Sequence, residues 1–420
     1  MNVAAIHAQE FEACQKCTLC ESFCPVLQVE PSFPGPKMAG ANGARLVHLQ
    51  EKGPAAVGTL DLCTDCRTCN LVCPSGIKPA TLILKQRWQG RSSRVSIIRN
   101  SVLSRPDRIG KIISLWPSVV NWTLKQKMTR RVAERVIGIA AARSFPAYAP
   151  VTFRRWYARH ASALQKQVAV TRKVVFFHGC YANFNRPDLG RHLVQVLENV
   201  GYEVIVPKQK CCGLPLSLNG DIEAARNLAR DNLECILPYV EKGMPIVFTC
   251  PSCASMFKSY YVDVFDLPGA VEVAKNCFDA CEFILNQIPE HIKQNAFGPV
   301  AMKIAYHTPC HLRAQGIGTP AVELLFLIPA IKLHVLGNNC CGMAGTYGFK
   351  AEKYDLSLKI GTSLFQEIKE CQPDKVVTDC GTCALQIGEN TGYTVIHPID
   401  LLFQALEASR AMVKQVEAAR

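Results

Sequence analysis

Long apolar runs are absent from this 420-residue chain. Because no run of about 18 apolar residues occurs, we expect no transmembrane helix. Residues 1–12 contain acids and no apolar core, so we expect no secretory signal peptide. No G-x-G-x-x-G motif stands between a strand and a helix, and the loop 342–345 lacks that context, so the sequence predicts no flavin or nicotinamide site.

Acidic residues are almost missing from one part of the chain. Between Lys85 and Lys173 there are twenty Lys and Arg but only Asp107 and Glu134, a net charge of +18. Because the whole chain carries +13, the remaining residues carry about −5. A basic block next to apolar residues indicates an anionic surface, which is either membrane lipid or nucleic acid.

Cysteine is abundant, with 22 residues, and eight form two matching runs near the N-terminus. Each run reads C-x-x-C-x-x-C-x-x-x-C-P, the pattern of a two-cluster bacterial ferredoxin, in which the fourth cysteine binds the other 4Fe-4S cluster. We therefore assign one cluster to Cys14, Cys17, Cys20 and Cys73, and the second to Cys63, Cys66, Cys69 and Cys24. Zinc knuckles or disulfides are the alternatives, although zinc sites pair cysteines two by two.

A second cysteine pattern occurs twice, about 130 residues apart, and indicates a duplicated domain. Each copy has one cysteine, then a Cys-Cys-Gly doublet, then a C-x-x-C motif. The arrangement resembles the cysteine-rich CCG domains of the B subunits of heterodisulfide reductases, and this resemblance implies noncubane 4Fe-4S clusters. It maps one cluster to Cys180, Cys211, Cys212, Cys250 and Cys253, and the other to Cys310, Cys340, Cys341, Cys380 and Cys383. A structural zinc in one copy is the alternative.

Alternating strands and helices predict an α/β unit for each copy. Short β-branched runs at 174–178, 246–249, 304–307 and 376–379 end just before cysteines, and runs at 203–206 and 332–336 precede the doublets. Amphipathic helices are predicted at 188–200, 221–240, 320–327 and 352–370. The cysteines should therefore lie at the carboxyl ends of parallel strands. The predicted fold class is α+β and α/β.

Five segments follow from these patterns. They are a two-cluster ferredoxin-type domain of helices and loops (1–84), a basic amphipathic helical linker (85–172), a first CCG domain (173–298), a second CCG domain (299–406) and a polar C-terminal helix (407–420). Within the linker, 109–124 is apolar but is interrupted by Lys111 and Pro117. This composition is typical of helices lying flat on a membrane, with packing on the chain's own domains or on a partner protein as the alternative. No recognition fold accompanies the arginines, so we expect no nucleic-acid partner.

Two histidines stand near the first cysteine of each copy. His178 and His307 could each donate a hydrogen bond to a cluster sulfur or a proton to a reduced quinone, although a structural role is more common for such residues. Cys235, Cys277, Cys281 and Cys371 fall outside both patterns and are predicted to be small buried apolar residues. We predict no catalytic residue, because oxidation of an organic substrate by hydride transfer requires an organic cofactor.

Ferredoxin runs followed by two CCG copies resemble the iron-sulfur subunits of respiratory dehydrogenases for glycerol 3-phosphate, glycolate and lactate. The closest resemblance is to the C subunits of anaerobic glycerol-3-phosphate dehydrogenases, through PGPKMAG at 34–40, FRRWY at 153–157, FFHGC at 176–180, HTPCH at 307–311 and CCGMAGTYGF at 340–349. It implies the flavoprotein A and B subunits as partners, menaquinone as acceptor, and peripheral attachment to the cytoplasmic face of the inner membrane.

Two other functions stay open at this point. A thiol-disulfide reductase is compatible with the CCG resemblance, but the basic block argues against it because a soluble reductase needs no membrane-facing surface. A zinc-stapled scaffold is disfavoured by the complete ferredoxin runs. Analysis of iron and acid-labile sulfide distinguishes the zinc-stapled scaffold from the two iron-sulfur functions. An assay that compares quinone with disulfide as electron acceptor distinguishes the dehydrogenase subunit from the thiol-disulfide reductase.

Overall fold

The computed structural model describes residues 6–49, 57–89, 94–164 and 172–418. It confirms the predicted fold class, with a helix-and-loop region followed by further helices and two parallel α/β sheets. Parts of the predicted linker and of the predicted C-terminal helix lie outside the described residues.

The N-terminal region consists of short helices around two cysteine-bearing loops. The α-helices are α1 (Leu19–Ser22), α2 (Gly43–His48), α3 (Val57–Leu60), α4 (Thr68–Leu71) and α5 (Pro79–Gln89), with a 3-10 turn at Ala8–Glu10 and a π-helix at Lys37–Asn42. Helix α5 is buried along most of its length and packs on the π-helix, where Gln86 Nε2 donates to the carbonyl of Ala39 at 2.8 Å. Because this packing continues past Leu84, the helix crosses the boundary drawn at residues 84 and 85.

The basic linker forms five helices. They are α6 (Arg94–Leu103), α7 (Pro106–Ile113), α8 (Pro117–Lys125), α9 (Lys127–Ile137) and α10 (Phe153–Leu164). Pro106 and Pro117 occupy the first turns of α7 and α8, where a missing N–H is tolerated, so each proline begins a new helix. In the part of the chain that the structure describes, no helix is long and apolar enough to cross a membrane.

The first CCG copy is built on a four-stranded parallel sheet. Its strands are β1 (Arg172–Phe177), β2 (Tyr202–Ile205), β3 (Ile246–Phe248) and β4 (Cys277–Asp279), in the order β2-β1-β3-β4. The helices are α11 (Gly179–Phe184), α12 (Pro187–Asn199), α13 (Leu214–Leu218), α14 (Ile222–Val240), α15 (Pro251–Ser255), a π-helix at Met256–Val264, α16 (Ala270–Lys275), α17 (Ala280–Gln287) and α18 (Glu290–Ala296).

The second copy repeats this topology. Its strands are β5 (Met302–Tyr306), β6 (Ile331–Val335), β7 (Lys375–Val377) and β8 (Val395–Ile396), in the order β6-β5-β7-β8. The helices are α19 (Cys310–Arg313), α20 (Pro320–Phe326), a 3-10 turn at Tyr347–Phe349, α21 (Ala351–Cys371), α22 (Gly381–Thr391) and α23 (Pro398–Ala418). The identical strand order confirms the duplication that the cysteine spacing predicted.

The two sheets share one apolar core. Val174 and Phe176 of β1 belong to the same buried cluster as Ile304 and Tyr306 of β5. Helix α23 closes this core with Leu401, Leu402, Ala405 and Leu406, so it begins at Pro398 and crosses the boundary drawn at residues 406 and 407. The predicted polar helix is thus the exposed C-terminal part of α23. The apolar residues at the start of α23 belong to the segment that the sequence assigned to the second copy.

Candidate metal centres

The first ferredoxin set lies near the surface. Cys14, Cys17, Cys20 and Cys73 line one small enclosed space, as their assignment to one cluster requires. Cys17 is exposed and the other three are half-buried. Burial is the main factor that raises the pKa of the Cys20 thiol to about 11. This set therefore offers the more accessible of the two ferredoxin sites.

The second ferredoxin set lies deeper. Cys24, Cys63, Cys66 and Cys69 line another enclosed space, together with Phe33 and Ile83. Burial raises the pKa of Cys24 to about 12 and the pKa of Cys63, Cys66 and Cys69 above the usual range. Since thiols so buried hold their protons, a metal that binds here must displace them and supply the compensating positive charge.

Both ferredoxin loops have the same unusual backbone. Lys16 and Thr18 flank Cys17 with φ of 58° and 66°, and Asp65 and Arg67 flank Cys66 with φ of 53° and 61°. Positive φ is uncommon for such residues, and it occurs at the same two positions of each run. Alternating left- and right-handed residues turn successive N–H groups into a concave nest for an anionic cluster. The Asp65 N–H already points to Cys63 Sγ at 3.4 Å.

The five cysteines of the first CCG copy form one continuous thiol group. Side-chain hydrogen bonds join Cys180 to Cys211, Cys211 to Cys212, Cys212 to Cys253 and Cys253 to Cys250. Donation from its two neighbours lowers the pKa of Cys211 well below the usual range. The set lies at the carboxyl ends of β1 and β3, the edge that the sequence predicted.

The second copy gathers its five cysteines in the same order. Hydrogen bonds join Cys310 to Cys340, Cys340 to Cys341, Cys341 to Cys383 and Cys383 to Cys380. The Sγ atoms of Cys341 and Cys383 are 3.2 Å apart. A hydrogen bond from Cys383 lowers the pKa of Cys380 to about 6.

Gly342 is required by the close packing behind this doublet. Its φ is +81°, and a Cβ there would lie 2.0 Å from the carbonyl oxygen of Ser357. Only glycine tolerates both conditions. Its N–H points to Cys340 Sγ at 3.4 Å, so the same glycine brings a backbone donor to the thiol set.

Three of the four cysteine sets are close neighbours. The Cys20 thiol of the first ferredoxin set contributes to the raised pKa of Cys24 in the second, after burial and Cys66. After burial, Cys340 of the second CCG copy is the strongest contributor to the raised pKa of Cys66. Cys66 and Cys340 also line one cavity of about 230 Å³. The cysteine sets thus follow one another from the exposed ferredoxin loop to the second CCG copy.

A buried polar junction holds the ferredoxin loop against both CCG copies. Tyr260 donates a hydrogen bond to Asp65, and the guanidinium carbon of Arg67 lies 3.6 Å from the centre of the Tyr260 ring. His311 Nε2 donates to the Asp65 carbonyl at 3.0 Å, and its Nδ1 accepts from Ser252 at 2.9 Å. The sequence does not reveal this role of His311, because its partners Asp65 and Ser252 are distant in the chain.

The structure separates the two histidines that the sequence treated alike. His178 Nδ1 donates to the Gly179 carbonyl at 2.6 Å, and its ring centre is 5.4 Å from that of Phe153. His307 is buried with no hydrogen-bond partner among the described residues on either ring nitrogen, and it lies within 4.8 Å of the Sγ atoms of Cys341 and Cys383. Burial lowers the pKa of each histidine to about 4, so both rings are neutral at pH 7.

The remaining cysteines divide into two kinds. Cys277 and Cys281 are buried as predicted, whereas Cys235 and Cys371 are only half-buried, so the prediction was wrong for those two. Cys235 Sγ contacts the carbonyl of Lys208 at 2.6 Å, a polar contact that sequence alone does not reveal.

Helices α7 to α9 expose a large apolar surface beside basic residues. Met128, Val132 and Val136 are 78%, 55% and 65% exposed and follow one face of α9 at four-residue spacing. Lys127, Arg131 and Arg135 are exposed on the adjacent stripe. Further exposed apolar residues in α7, α8 and their connection are Ile112, Leu115, Trp116, Val119 and Trp122.

Several cations of the basic block are instead used within the protein. Arg99 pairs with Glu352 at 2.7 Å, Arg105 pairs with Asp221 at 2.5 Å, and the fully buried Arg143 pairs with Glu389 at 2.5 Å. These pairs join the linker to both CCG copies. Among the described residues the free positive surface is therefore smaller than the +18 of the sequence, and part of it lies on α7 to α9.

Comparison with known proteins matches these features to described families. Residues 10–77 match a 4Fe-4S dicluster domain, and 174–258 and 304–388 each match a cysteine-rich domain. The chain is 39% identical over 401 residues to the C subunit of anaerobic glycerol-3-phosphate dehydrogenase of Escherichia coli (strain K12), covering 94% of this chain and 98% of that one. This chain belongs to the family of anaerobic glycerol-3-phosphate dehydrogenase C subunits. It is an iron-sulfur electron-transfer subunit of that kind.

More distant relatives share parts or all of the architecture. Lactate utilization protein A of Halalkalibacterium halodurans is 30% identical over 225 residues, covering 51% of this chain and 88% of that protein. The D subunit of dihydromethanophenazine:CoB–CoM heterodisulfide reductase of Methanosarcina barkeri is 23% identical over 420 residues, covering 92% and 91%. Both kinds of relative correspond to alternatives that the sequence left open.

The residues present fit iron-sulfur clusters. The four cysteine sets supply only soft thiol donors, and both ferredoxin loops have positive φ on either side of their second cysteine, the backbone of an anion-binding nest. The glycine after each doublet has a positive φ, at +91° for Gly213 and +81° for Gly342. Because the Escherichia coli relative is one subunit of a larger dehydrogenase, membership of its family also implies partner subunits.

Proposed function

We propose that this chain passes electrons from the flavoprotein A and B subunits, which oxidise glycerol 3-phosphate, to menaquinone. It does so as a peripheral protein on the cytoplasmic face of the inner membrane. The observation that carries this proposal is the succession of close cysteine sets, from the exposed Cys17 through Cys24 and Cys66 to Cys340.

The ligand sets are those that the sequence predicts. Two cubane 4Fe-4S clusters would be held by the two ferredoxin sets, and one or two noncubane clusters by the five-thiol sets of the CCG copies. Bound clusters would supply one-electron transfer, which no side chain here can perform. The protein contributes enclosed thiol sets, backbone N–H donors and exclusion of water.

Exposure suggests which end of this succession faces the electron donor. Cys17 is exposed, whereas Cys24, Cys69, Cys340 and Cys341 are buried. A flavoprotein partner can therefore approach the first ferredoxin set most closely. The second CCG set lies at the other end of the succession and is the best candidate for delivery to the quinone.

His307 would serve that second set. A neutral imidazole carries one N–H donor and one acceptor nitrogen, and the thiols of Cys341 and Cys383 lie within 4.8 Å of His307. A hydrogen bond to cluster sulfur favours the reduced form and so raises the reduction potential. Neutral His178 donates its one N–H, at Nδ1, to the Gly179 carbonyl and has none left for a sulfur, so the two CCG sets should differ in potential.

Helices α7 to α9 would hold the protein at anionic lipid. On α9 the apolar stripe of Met128, Val132 and Val136 lies beside the cationic stripe of Lys127, Arg131 and Arg135, the arrangement of helices that lie in an interface. The long side chains of Lys127, Arg131 and Arg135 can reach the lipid headgroups while the apolar stripe enters the outer part of the acyl-chain region.

The electron path is tested in the assembled complex. With glycerol 3-phosphate as donor, Cys340→Ser should abolish reduction of a menaquinone analogue while a dye that accepts directly from the flavoprotein is still reduced. Cys371→Ser is the matched control, since this half-buried cysteine on α21 belongs to no set. If Cys340→Ser loses the iron of the second CCG set and still reduces the quinone at the full rate, the second CCG copy is not part of the electron path.

The alternatives are distinguished in the same assay. Glycolate or lactate as the better donor would assign the chain to a related dehydrogenase, and reduction of a disulfide acceptor would assign it to a thiol-disulfide reductase. The exposed apolar surface beside basic residues favours the quinone-linked function over the soluble reductase.

A further inference from the structure

Three ligand-type side chains that belong to none of the cysteine sets meet at the junction of the two CCG copies, and one of them directly precedes Cys380. They are Asp279 at the end of β4, Cys281 in the first turn of α17, and Asp379 after β7. One carboxylate oxygen of each aspartate and the Sγ atom of Cys281 all lie within 4.8 Å of one another. All three residues are at most 1% exposed.

The hydrogen bonds around this cluster are incomplete. Asp279 Oδ1 accepts from the Cys281 N–H at 2.9 Å, and Asp379 Oδ2 accepts from the Tyr306 hydroxyl at 2.6 Å. Asp279 Oδ2 and Asp379 Oδ1 are buried with no hydrogen-bond partner among the described residues. Such atoms are costly unless something outside the protein chain satisfies them.

Nearby cations do not balance the two carboxylates. Asp279 is 1% exposed and Asp379 is fully buried, so the charge of each carboxylate is costly unless something neutralises it. Lys258 acts weakly on Asp279 and is itself engaged by Glu282 at 3.2 Å. The cluster therefore needs either a proton or a bound cation.

The duplication supplies an internal comparison. At the pseudo-symmetric position, Thr249 stands for Asp379, His397 for Asp279 and Ile399 for Cys281. There His397 Nε2 donates to the Thr249 carbonyl at 3.1 Å, and His397 Nδ1 accepts from the Ile399 N–H at 3.1 Å. That half of the junction is complete without any ligand.

One half of a duplicated junction thus carries three metal-ligating residues where the other half carries a self-sufficient set. A proton shared by the two carboxyls would account for the aspartates but gives the thiol of Cys281 no role. A thiol with two carboxylates is a mixed S and O donor set, which suits Zn²⁺ and not Mg²⁺ or Ca²⁺.

We propose that Asp279, Cys281 and Asp379 bind one zinc ion between the two CCG copies. Asp279 Oδ2, Asp379 Oδ1 and Cys281 Sγ are the protein ligands, and binding of the ion releases two protons to solvent, one from the Cys281 thiol and one that the two carboxyls otherwise share. The ion neutralises the buried carboxylates and links β4 of one copy to β7 of the other. This site is distinct from the ten cysteines of the CCG sets.

Element analysis of the full chain, purified anaerobically with its clusters, tests the proposal. We expect about one zinc per chain in the wild type and a loss of nearly all of it in Asp279→Asn and Cys281→Ser, with iron content unchanged. Cys277→Ser is the matched control, because this buried cysteine at the start of β4 contacts the Val273 carbonyl instead and should retain the zinc.

Zinc-edge X-ray absorption identifies the ligands independently of the iron. The proposal requires about one sulfur near 2.3 Å and two or more oxygens near 2.0 to 2.2 Å. All-sulfur coordination would place the zinc in a CCG set and overturn the proposal. Absence of zinc after purification with added Zn²⁺ would also overturn the proposal and would indicate that a shared proton neutralises the carboxylates. Neither result bears on the electron path.

Discussion

Attachment to anionic membrane is the prediction that the surface of α9 makes most directly. Lys127, Arg131 and Arg135 form no ion pair in the described part of the chain and are exposed beside the apolar stripe of the same helix. Arg130 differs, because its Nε donates to the Ala141 carbonyl at 2.7 Å and it is half-buried. The variant to make is therefore Lys127→Gln, Arg131→Gln and Arg135→Gln together, with Arg130 left in place.

The size of the effect can be worked out from these residues. Each cation near an anionic surface contributes about 1 kcal/mol, so three contribute at most about 3 kcal/mol. If half to all of this is realised, the partition coefficient falls by roughly 10-fold to 150-fold. Trp116 and Trp122 are 66% and 65% exposed. Immersing half of that ring area adds roughly 1.5 kcal/mol each, so weak binding should persist in the triple variant.

Flotation with phosphatidylglycerol liposomes measures this partition. The wild type should float at low salt and sink progressively as salt rises, because screening weakens the attraction of exposed charges. Removing three exposed lysines elsewhere controls for net charge, through Lys208→Gln, Lys242→Gln and Lys369→Gln together. A wild-type chain that stays at the bottom at low salt with its clusters intact would refute direct docking, as would an equal loss in the control triple.

Four further predictions concern the metal centres and the core. Cys69→Ser should abolish one cubane signal and leave the CCG signals intact, which electron paramagnetic resonance checks. His307→Gln should shift the potential of one CCG centre in a redox titration and His178→Gln should not; equal shifts would contradict the asymmetry. Gly342→Ala should lower iron content by displacing the doublet from Ser357, which element analysis measures. Burial alone would raise the pKa of Asp400, but His192 and Arg186 hold this pKa well below its usual range. The stability that the ionised Asp400 gives to the fold is therefore present above about pH 4 and is lost in acid. Acid denaturation of Asp400→Asn should accordingly show a weaker pH dependence below about pH 4.

Much of the fold could be predicted because the cysteine spacing and the strand runs are local patterns. All six expected strands and the four expected CCG helices are present within one or two residues. The fourth strand of each sheet was missed, because β8 has only two residues and β4, Cys-Phe-Asp, contains no β-branched residue. The boundary predicted between residues 84 and 85 falls within helix α5, and Lys85, the first cation of the basic block, is buried against Glu10 at 2.7 Å.

The parts of the site that sequence could not give are contacts between distant segments. His178 and His307 occupy nearly equivalent positions, yet His178 Nδ1 donates to the Gly179 carbonyl, whereas His307 makes no hydrogen bond to the described residues and lies within 4.8 Å of two thiols. His311 and Asp65 are 246 residues apart and meet only once three domains are assembled. Because of the duplication, both copies have the same strands and the same thiols. Positions at which the copies differ, such as Asp379 in one and Thr249 in the other, can give each half a role of its own. A comparison of the two halves within one chain therefore shows which residues the shared fold does not require.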